Sequence, residues 1–213
     1  MIIPKISFAL EGGRLPSEDI FRSIPEECIS ILNWEKEFSY KPDVKFRICH
    51  NGQYLFIRFY VNERYTMALE TKNGNDVYKD SCVEFFFQVD GEDRYYNFEW
   101  NAAGTVCFSH RLNRKESERA PLEIQNLVLS DSSLGKAPFA LKENPLPWTL
   151  TVAIPTEALF MSNIKSWSGL KGKANVYKCG DALPIPHYVT WAKIDTPTPD
   201  YHRPEFFKEI NCQ

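Results

Sequence analysis

Hydrophobic and polar residues alternate over short segments along most of the chain after about residue 34. These segments are rich in β-branched and aromatic residues, and Gly, Pro, Asn or Asp separates them, which is typical of strands and turns. Strands are predicted at residues 44–50, 54–62, 66–70, 81–89, 94–102, 105–112, 122–130, 148–155, 173–179, 188–194 and 205–210. This spacing favours an all-β fold, an antiparallel β-sandwich with jelly-roll-like or immunoglobulin-like layering, over alternating βαβ units.

Helical structure is predicted only as short turns. Residues 1–33 form an irregular N-terminal segment with one short helix between residues 17 and 32, which Pro25 interrupts. A helical turn is expected at residues 155–160. The stretches 134–147 and 180–187 are too short for linkers, so we expect a single domain over residues 1–213, with these stretches as loops at strand ends.

The turn Asp90-Gly91-Glu92-Asp93 joins two of the predicted strands into a hairpin. Gly91 tolerates the positive φ that a tight hairpin requires. If Gly91 and Glu92 form a two-residue loop, each residue before the loop pairs with the residue that lies the same number of positions after it. One face of the hairpin then carries only core-type pairs, namely Val83–Trp100, Phe85–Phe98 and Phe87–Tyr96.

The opposite face of this hairpin places Glu84 against Glu99, next to Phe86. Two carboxylates that face each other normally destabilise a sheet. If the loop instead centres on Asp90 and Gly91, the pair becomes diagonal but stays on one face. Two interpretations remain open: the carboxylates are solvated or paired with Arg and Lys, or they belong to a polar patch that faces a ligand.

Charge and composition narrow the classes of partner and compartment. The 25 basic and 28 acidic residues are well mixed and give a net charge of -3, which argues against nucleic acid and anionic membranes as partners. The start of the chain has no signal peptide pattern, and no 18 consecutive residues are apolar. We therefore expect a soluble, cytoplasmic protein with reduced thiols, or an exported or periplasmic one if an upstream signal was removed.

The six cysteines are widely and irregularly spaced. The sequence contains no CxxC pair and no His/Cys ligand spacing, which argues against structural zinc and against a dithiol redox site.

Two stretches of the sequence resemble carbohydrate-binding module family 9, within the DOMON-like superfamily of β-sandwiches. The first is Val77-Tyr78-Lys79-Asp80-Ser81-Cys82-Val83-Glu84-Phe85-Phe86 with Asn97-Phe98-Glu99-Trp100-Asn101, and the second is Trp191, Asp195 and Pro199-Asp200-Tyr201-His202-Arg203-Pro204-Glu205-Phe206-Phe207. The resemblance implies non-catalytic binding of a monosaccharide or oligosaccharide, accessory to carbohydrate catabolism.

The resemblance also implies a set of site residues. In that family two aromatic rings sandwich a terminal sugar, and these ring positions fall on Tyr78 and Tyr201. The positions that contact sugar hydroxyls fall on Glu84, Tyr177 and Asp181. The chain departs from the family because tyrosines replace tryptophans, because Glu99 stands where a basic residue is expected, and because the segment around Asp181 needs a one-residue insertion to align.

Two further groups of residues near these motifs are candidates for binding. His202 and Arg203 are expected either to orient a sugar hydroxyl or, for Arg203, to pair with Glu84 or Glu99. The acidic turn of Asp90, Glu92 and Asp93 is a candidate for the structural calcium that some family members hold. This turn lacks a ladder of oxygen ligands, so a solvated turn is the preferred interpretation and no metal site is predicted.

Two alternative functions stay open. Glu84, Glu99 and Asp181 could act as the acid and base of a glycoside hydrolase, although both glutamates are expected on a flat sheet face without a groove. Related sandwich domains hold haem with Met and His ligands, and Met67 is the candidate axial ligand for such an electron-transfer module.

Overall fold

The computed structural model describes residues 1–213 and is built almost entirely from strands. In chain order these are β1 (Ile2–Ile3), β2 (Glu27–Cys28), β3 (Asp43–His50), β4 (Tyr54–Asn62), β5 (Tyr65–Ala68), β6 (Cys82–Val89), β7 (Tyr95–Asn101), β8 (Val106–Arg111), β9 (Ser117–Arg119), β10 (Leu129–Ser132), β11 (Phe139–Glu143), β12 (Trp148–Pro155), β13 (Lys171–Cys179), β14 (Tyr188–Thr190) and β15 (Lys208–Cys212).

The strands form a β-sandwich, as predicted. The larger sheet has the order β1-β15-β13-β6-β7-β8-β9, with β14 also paired to β13. The smaller sheet has the order β10-β12-β4-β3-β2, and β11 pairs with β5 in a separate two-stranded sheet. Pairing is antiparallel throughout, except that β1 runs parallel to β15.

Helical structure is limited to single turns. The two α-helices are α1 (Glu18–Phe21) and α2 (Leu122–Gln125), and 3-10 turns occur at Val77–Lys79, Thr156–Ala158 and Pro204–Phe206. No helix is long and apolar enough to cross a membrane.

The predicted strands at 54–62 and 148–155 have the same bounds as β4 and β12, and most others agree to within a few residues. The strand predicted at 122–130 is wrong over most of its length, because α2 begins at Leu122, directly after its capping residue Pro121, and β10 begins only at Leu129. Pro fits the first turn of a helix, and Leu, Glu and Gln are good helix formers, so local propensity outweighs the apolar alternation here. The strand predicted at 205–210 likewise begins with a 3-10 turn at Pro204.

The hairpin of β6 and β7 has the predicted register. Gly91 has φ 82°, and the pairs Val83–Trp100, Phe85–Phe98 and Phe87–Tyr96 all occur. These six side chains belong to the main hydrophobic core, where the two large sheets pack face to face. Phe59 of the smaller sheet meets Trp100 with a ring-centroid distance of 6.4 Å.

A buried ion pair links the two sheets at one end of this core. Lys178 Nζ on β13 lies 2.8 Å from Glu63 Oε2, and both side chains are fully buried. Trp148 Nε1 donates to Glu63 Oε1 at 3.0 Å, and Lys178 Nζ lies 2.9 Å from His187 Nε2. Burial and the Lys178 charge hold the pKa of His187 well below its usual value, so the imidazole is neutral and can accept this bond.

The outer face of the larger sheet is also covered. Phe86, Tyr95 and Tyr177 on this face pack against Tyr201 and Phe207 of the C-terminal segment in a second apolar cluster. Because strand side chains alternate between faces, polar residues two positions away from these aromatics, such as Glu84 beside Phe86, lie on the same outer face. Polar and aromatic side chains therefore lie together on this face.

Candidate functional site

A cavity of about 250 Å³ opens on the outer face of the larger sheet, over β6, β7, β8 and β13. Its wall combines carboxyl groups, guanidinium groups, thiols and aromatic rings. The lining residues are Asp76, Tyr78, Glu84, Glu99, Cys107, Arg111, Arg114, Arg119, Cys179, Asp181, Tyr188, Pro199, Asp200, Tyr201 and His202.

Glu84 and Glu99 lie directly opposite each other on β6 and β7, as predicted, and both line the cavity. Their side chains are buried, with residue exposures of 3% and 8%, and neither makes a direct ion pair. The interpretation that they are solvated or paired with Arg or Lys is therefore wrong. The expectation of a flat face without a groove is also wrong, because the lid of C-terminal residues turns this face into a cavity.

Protonation relieves the repulsion between the two glutamates. Burial, together with the nearby Cys179 and Glu99, raises the pKa of Glu84 well above its usual value. Burial also raises the pKa of Glu99 to about 7, against the opposing effect of the Asn97 amide, which donates to Glu99 Oε1 at 2.6 Å. The raised pKa favours the protonated form of Glu84, which can both donate and accept hydrogen bonds.

Three arginines line the cavity, and the sequence analysis missed them. Arg111 Nε donates to Asn97 Oδ1 at 2.8 Å, which holds the guanidinium beside Glu99. Arg114 lies 3.9 Å from a carboxylate oxygen of Asp200. Arg119 is similarly 4.0 Å from a carboxylate oxygen of Asp76, whereas Arg111 has no carboxylate partner.

A signal for Arg111 was present in the sequence. Strands β7 and β8 pair symmetrically about Ala103, which sets Glu99 against Cys107 and Tyr95 against Arg111. The same counting that paired β6 with β7 therefore predicts that Cys107 and Arg111 share the face of Glu99. Arg114 and Arg119 lie beyond this strand, and only the folded chain places them at the cavity.

Three tyrosines supply the aromatic part of the wall, and they differ in accessibility. Tyr201 is only 9% exposed, its hydroxyl donates to the Lys178 carbonyl at 3.1 Å, and its ring stacks on Tyr177 at 4.1 Å and 8°. Tyr78 and Tyr188 are partly exposed. A hydrogen bond from Tyr188 opposes the burial that raises the pKa of Asp181.

Six of the eight residues predicted for binding lie on the cavity wall, namely Tyr78, Glu84, Glu99, Asp181, Tyr201 and His202. Tyr177 is not on the wall, because it is fully buried behind Tyr201 and donates to the Tyr201 carbonyl at 3.1 Å. Arg203 is also outside the wall, and its predicted pairing with Glu84 or Glu99 is wrong. Its guanidinium instead lies 2.6 Å from Glu205, its neighbour two residues along the chain, which satisfies both charges locally.

His202 closes one side of the cavity as a neutral group. Burial and the charges of Arg111 and Arg114 lower its pKa to about 3. Its Nδ1 shares a hydrogen bond of 3.0 Å with the Tyr95 hydroxyl, and its ring lies 5.2 Å from that of Phe86.

One group of potential metal ligands converges in the fold, and it consists of Cys82, Glu84 and Cys179. The carboxylates of the acidic turn do not converge in this way, and Glu92 accepts a hydrogen bond of 2.8 Å from Ser162 instead. The turn residues therefore offer no converging set of three carboxylates for a calcium ion. Met67, the candidate haem ligand, lies on β5 and does not line the cavity.

Sequence comparison matches residues 16–212 to the model of carbohydrate-binding family 9. The chain belongs to carbohydrate-binding family 9. Among curated proteins none matches the sequence.

Solved structures share the fold of this family 9 chain. A presumed carbohydrate-binding protein from Bacteroides uniformis ATCC 8492 has 31% sequence identity and a TM-score of 0.91, and the match covers 100% of this chain and 98% of that one. A family 9 module from Caldicellulosiruptor kristjanssonii in complex with glucose has 11% identity, a TM-score of 0.62 and coverage of 100% and 95%. The same kind of module in complex with cellotriose has 10% identity, a TM-score of 0.61 and coverage of 100% and 93%.

Proposed function

We propose that the cavity binds the terminal residue of a saccharide without cleaving it. The observation that carries this proposal is the combination, on one wall, of partly exposed tyrosine rings with buried carboxyl groups. Membership of family 9 supports the same function, and the related modules that hold glucose and cellotriose have the same fold. The whole of residues 1–213 acts as one carbohydrate-binding domain in this proposal, because the main core includes both Ile3 and Cys212.

Each class of wall residue has a counterpart on a sugar. Sugar rings have weakly apolar C–H faces that pack on aromatic rings, and Tyr78 and Tyr188 are accessible enough to offer such a surface. Hydroxyl groups both donate and accept hydrogen bonds. Protonated Glu84 can do both, and Asp181 and ionised Glu99 accept.

The size of the cavity favours a single sugar residue. Pockets for drug-sized ligands have volumes of about 300–1,000 Å³, and this cavity, at about 250 Å³, falls just below that range. A chain end therefore fits better than the middle of a polysaccharide, whose further residues would extend into solvent. Binding at chain ends suits a module that is accessory to carbohydrate breakdown.

The position of the two glutamates argues for binding rather than hydrolysis. Glycosidases place their two carboxyl groups on either side of the scissile bond. Glu84 and Glu99 are neighbours on adjacent strands of the same sheet face, so both would contact the same side of a bound sugar. Burial raises both pKa values, and Cys179 and Glu99 further raise that of Glu84, which accounts for the shifts without a catalytic role.

The test is calorimetric titration of the purified chain with glucose, cellotriose and a panel of other monosaccharides, alongside a hydrolysis assay. We expect saturable binding of at least one sugar with no turnover. Tyr78→Ala should weaken that binding about tenfold or more, equivalent to about 1.4 kcal/mol. The matched control is Tyr65→Ala, because Tyr65 is also partly exposed but lies on β5 outside the cavity.

A polar pair of variants tests the carboxyl groups separately. Asp181→Asn removes an acceptor from the wall and should weaken binding, whereas Asp131→Asn, at an exposed position of β10, should not. Equal affinities for Tyr78→Ala and wild type, together with equal affinities for Asp181→Asn and wild type, would refute the cavity as the sugar site. Turnover that disappears in Glu84→Gln would instead establish a hydrolase.

A further inference from the structure

Two cysteines and a glutamate meet at the floor of the cavity. Strands β6 and β13 pair Cys82 directly with Cys179, and Glu84 follows Cys82 on the same face. Cys179 Sγ lies 3.1 Å from Glu84 Oε1, and Cys82 Sγ lies 4.0 Å from the same oxygen. The ligand atoms of all three residues are within 4.8 Å of one another, and all three side chains are buried.

These separations are close to those of a tetrahedral metal site. With Zn–S bonds of about 2.3 Å and Zn–O bonds of about 2.1 Å, tetrahedral geometry requires S···O distances of about 3.6 Å and S···S distances of about 3.8 Å. The two observed S···O distances, 3.1 and 4.0 Å, bracket that value. Small side-chain adjustments are therefore enough to admit an ion, without a change in strand pairing.

The chemistry of the donors selects the class of ion. Thiolates favour thiophilic ions such as Zn²⁺ and Cd²⁺, whereas Ca²⁺ and Mg²⁺ require oxygen ligands. Three protein ligands leave a fourth tetrahedral position free. Because Cys179 and Glu84 line the cavity, this position faces the cavity, where water or a ligand oxygen can fill it.

Burial favours the neutral, protonated forms of the three ligands in the metal-free chain. Burial raises the pKa of the Cys82 thiol to about 12 and raises the pKa values of Cys179 and Glu84 as well. All six cysteines are free thiols, so the pair is available as ligands. Binding of an ion replaces the protons, and the ion's charge offsets the charges that form in this buried place.

We propose that Cys82, Cys179 and Glu84 form a binding site for a thiophilic divalent cation, with one coordination position open to the cavity. The spacing of cysteines along the sequence argued against zinc, because that argument considered only ligands that are close in sequence. Pairing of distant strands brings these ligands together instead. The metal site shares Glu84 with the proposed sugar site, but all three of its ligands belong to the protein, so ion binding does not require a sugar.

The experiment titrates Cd²⁺ and Zn²⁺ into the full chain, which is first reduced, then freed of reductant and kept under argon. Cd²⁺ binding through thiolates produces an ultraviolet charge-transfer band, and we expect it to saturate at one ion per chain. Zn²⁺ should displace the Cd²⁺ and remove the band. Cys179→Ser and Cys82→Ser should each weaken binding by at least about 100-fold.

The matched control is Cys107→Ser, because Cys107 is a buried thiol on the same cavity wall that is not part of the group. Thermal unfolding without metal confirms that each variant is folded, and Glu84→Gln provides a ligand change that leaves both thiols intact. A reduced chain that gives no charge-transfer band would overturn the proposal, as would equal loss in Cys107→Ser. A glucose titration of the metal-free wild-type chain reports on the sugar site separately, so failure of one proposal is distinguishable from failure of the other.

Discussion

Because of His202, the fold should lose stability as the pH falls below neutral. Its pKa is about 3 in the folded protein, compared with about 6.5 in an unfolded chain. The unfolded state therefore takes up a proton as the pH falls below about 6.5, while the folded state does not. The stabilisation is fully present above that pH and is lost progressively as the pH falls towards about 3.

The magnitude follows from the two pKa values. Between neutral pH and about pH 5 the loss amounts to about 2 kcal/mol, and complete titration would remove about 5 kcal/mol. The charges that lower the pKa of His202 are those of Arg111 and Arg114, and both oppose its protonation. The Tyr95 hydroxyl, which bonds its Nδ1, stays neutral because burial raises the pKa of Tyr95.

Urea unfolding followed by tryptophan fluorescence, at about pH 7.5 and about pH 5, measures this effect. The comparison is between wild type and His202→Asn, which keeps a polar side chain but cannot titrate. Other groups whose pKa changes on folding, such as His187 and Glu99, contribute equally to both proteins and cancel. The difference in unfolding free energy should shift by about 2 kcal/mol against wild type at the lower pH. A difference that stays constant with pH would refute the reasoning.

Two further predictions concern β13 and the strands that it contacts. Lys178→Met leaves Glu63 as an uncompensated buried charge and should lower the unfolding free energy by about 3–5 kcal/mol. Combining it with Glu63→Leu should recover much of that loss. Equal stability of the single and double variants would contradict a net role for the pair. Gly172→Ala would put a methyl group against the Gln88 carbonyl oxygen and the Phe87 ring. We expect the unfolding free energy to fall by about 1–3 kcal/mol in the same urea assay. A variant as stable as wild type would contradict the close packing.

Local patterns were enough to predict the hairpin on which the site is built. Alternation over β6 and β7 and the glycine at residue 91 indicate both the register and the face of each side chain, because a one-residue slip would move every apolar residue to the other face. The opposed pair of Glu84 and Glu99 was found in this way.

Other parts of the site could not be predicted because they depend on contacts between distant segments. That β13 lies next to β6 is a matter of sheet order, and no local pattern indicates that Cys179 faces Cys82. The same holds for the seclusion of Tyr177 behind Tyr201, since the C-terminal segment that covers it arrives from elsewhere in the chain. The error at α2 has a local cause, because apolar spacing over so short a stretch suits a helical turn as well as a strand.

Consecutive side chains of β13 lie in two different environments. Lys178 points between the sheets to Glu63, while Cys179 points to the floor of the cavity. A slip of one residue in the pairing of β13 with β6 would exchange these environments, with an ammonium group entering the cavity and a thiol left beside the Glu63 carboxylate. In the misaligned chain the Glu63 carboxylate would stay buried without its lysine partner, at a large cost in free energy. The buried ion pair therefore favours the alignment of β13 that also assembles the cavity.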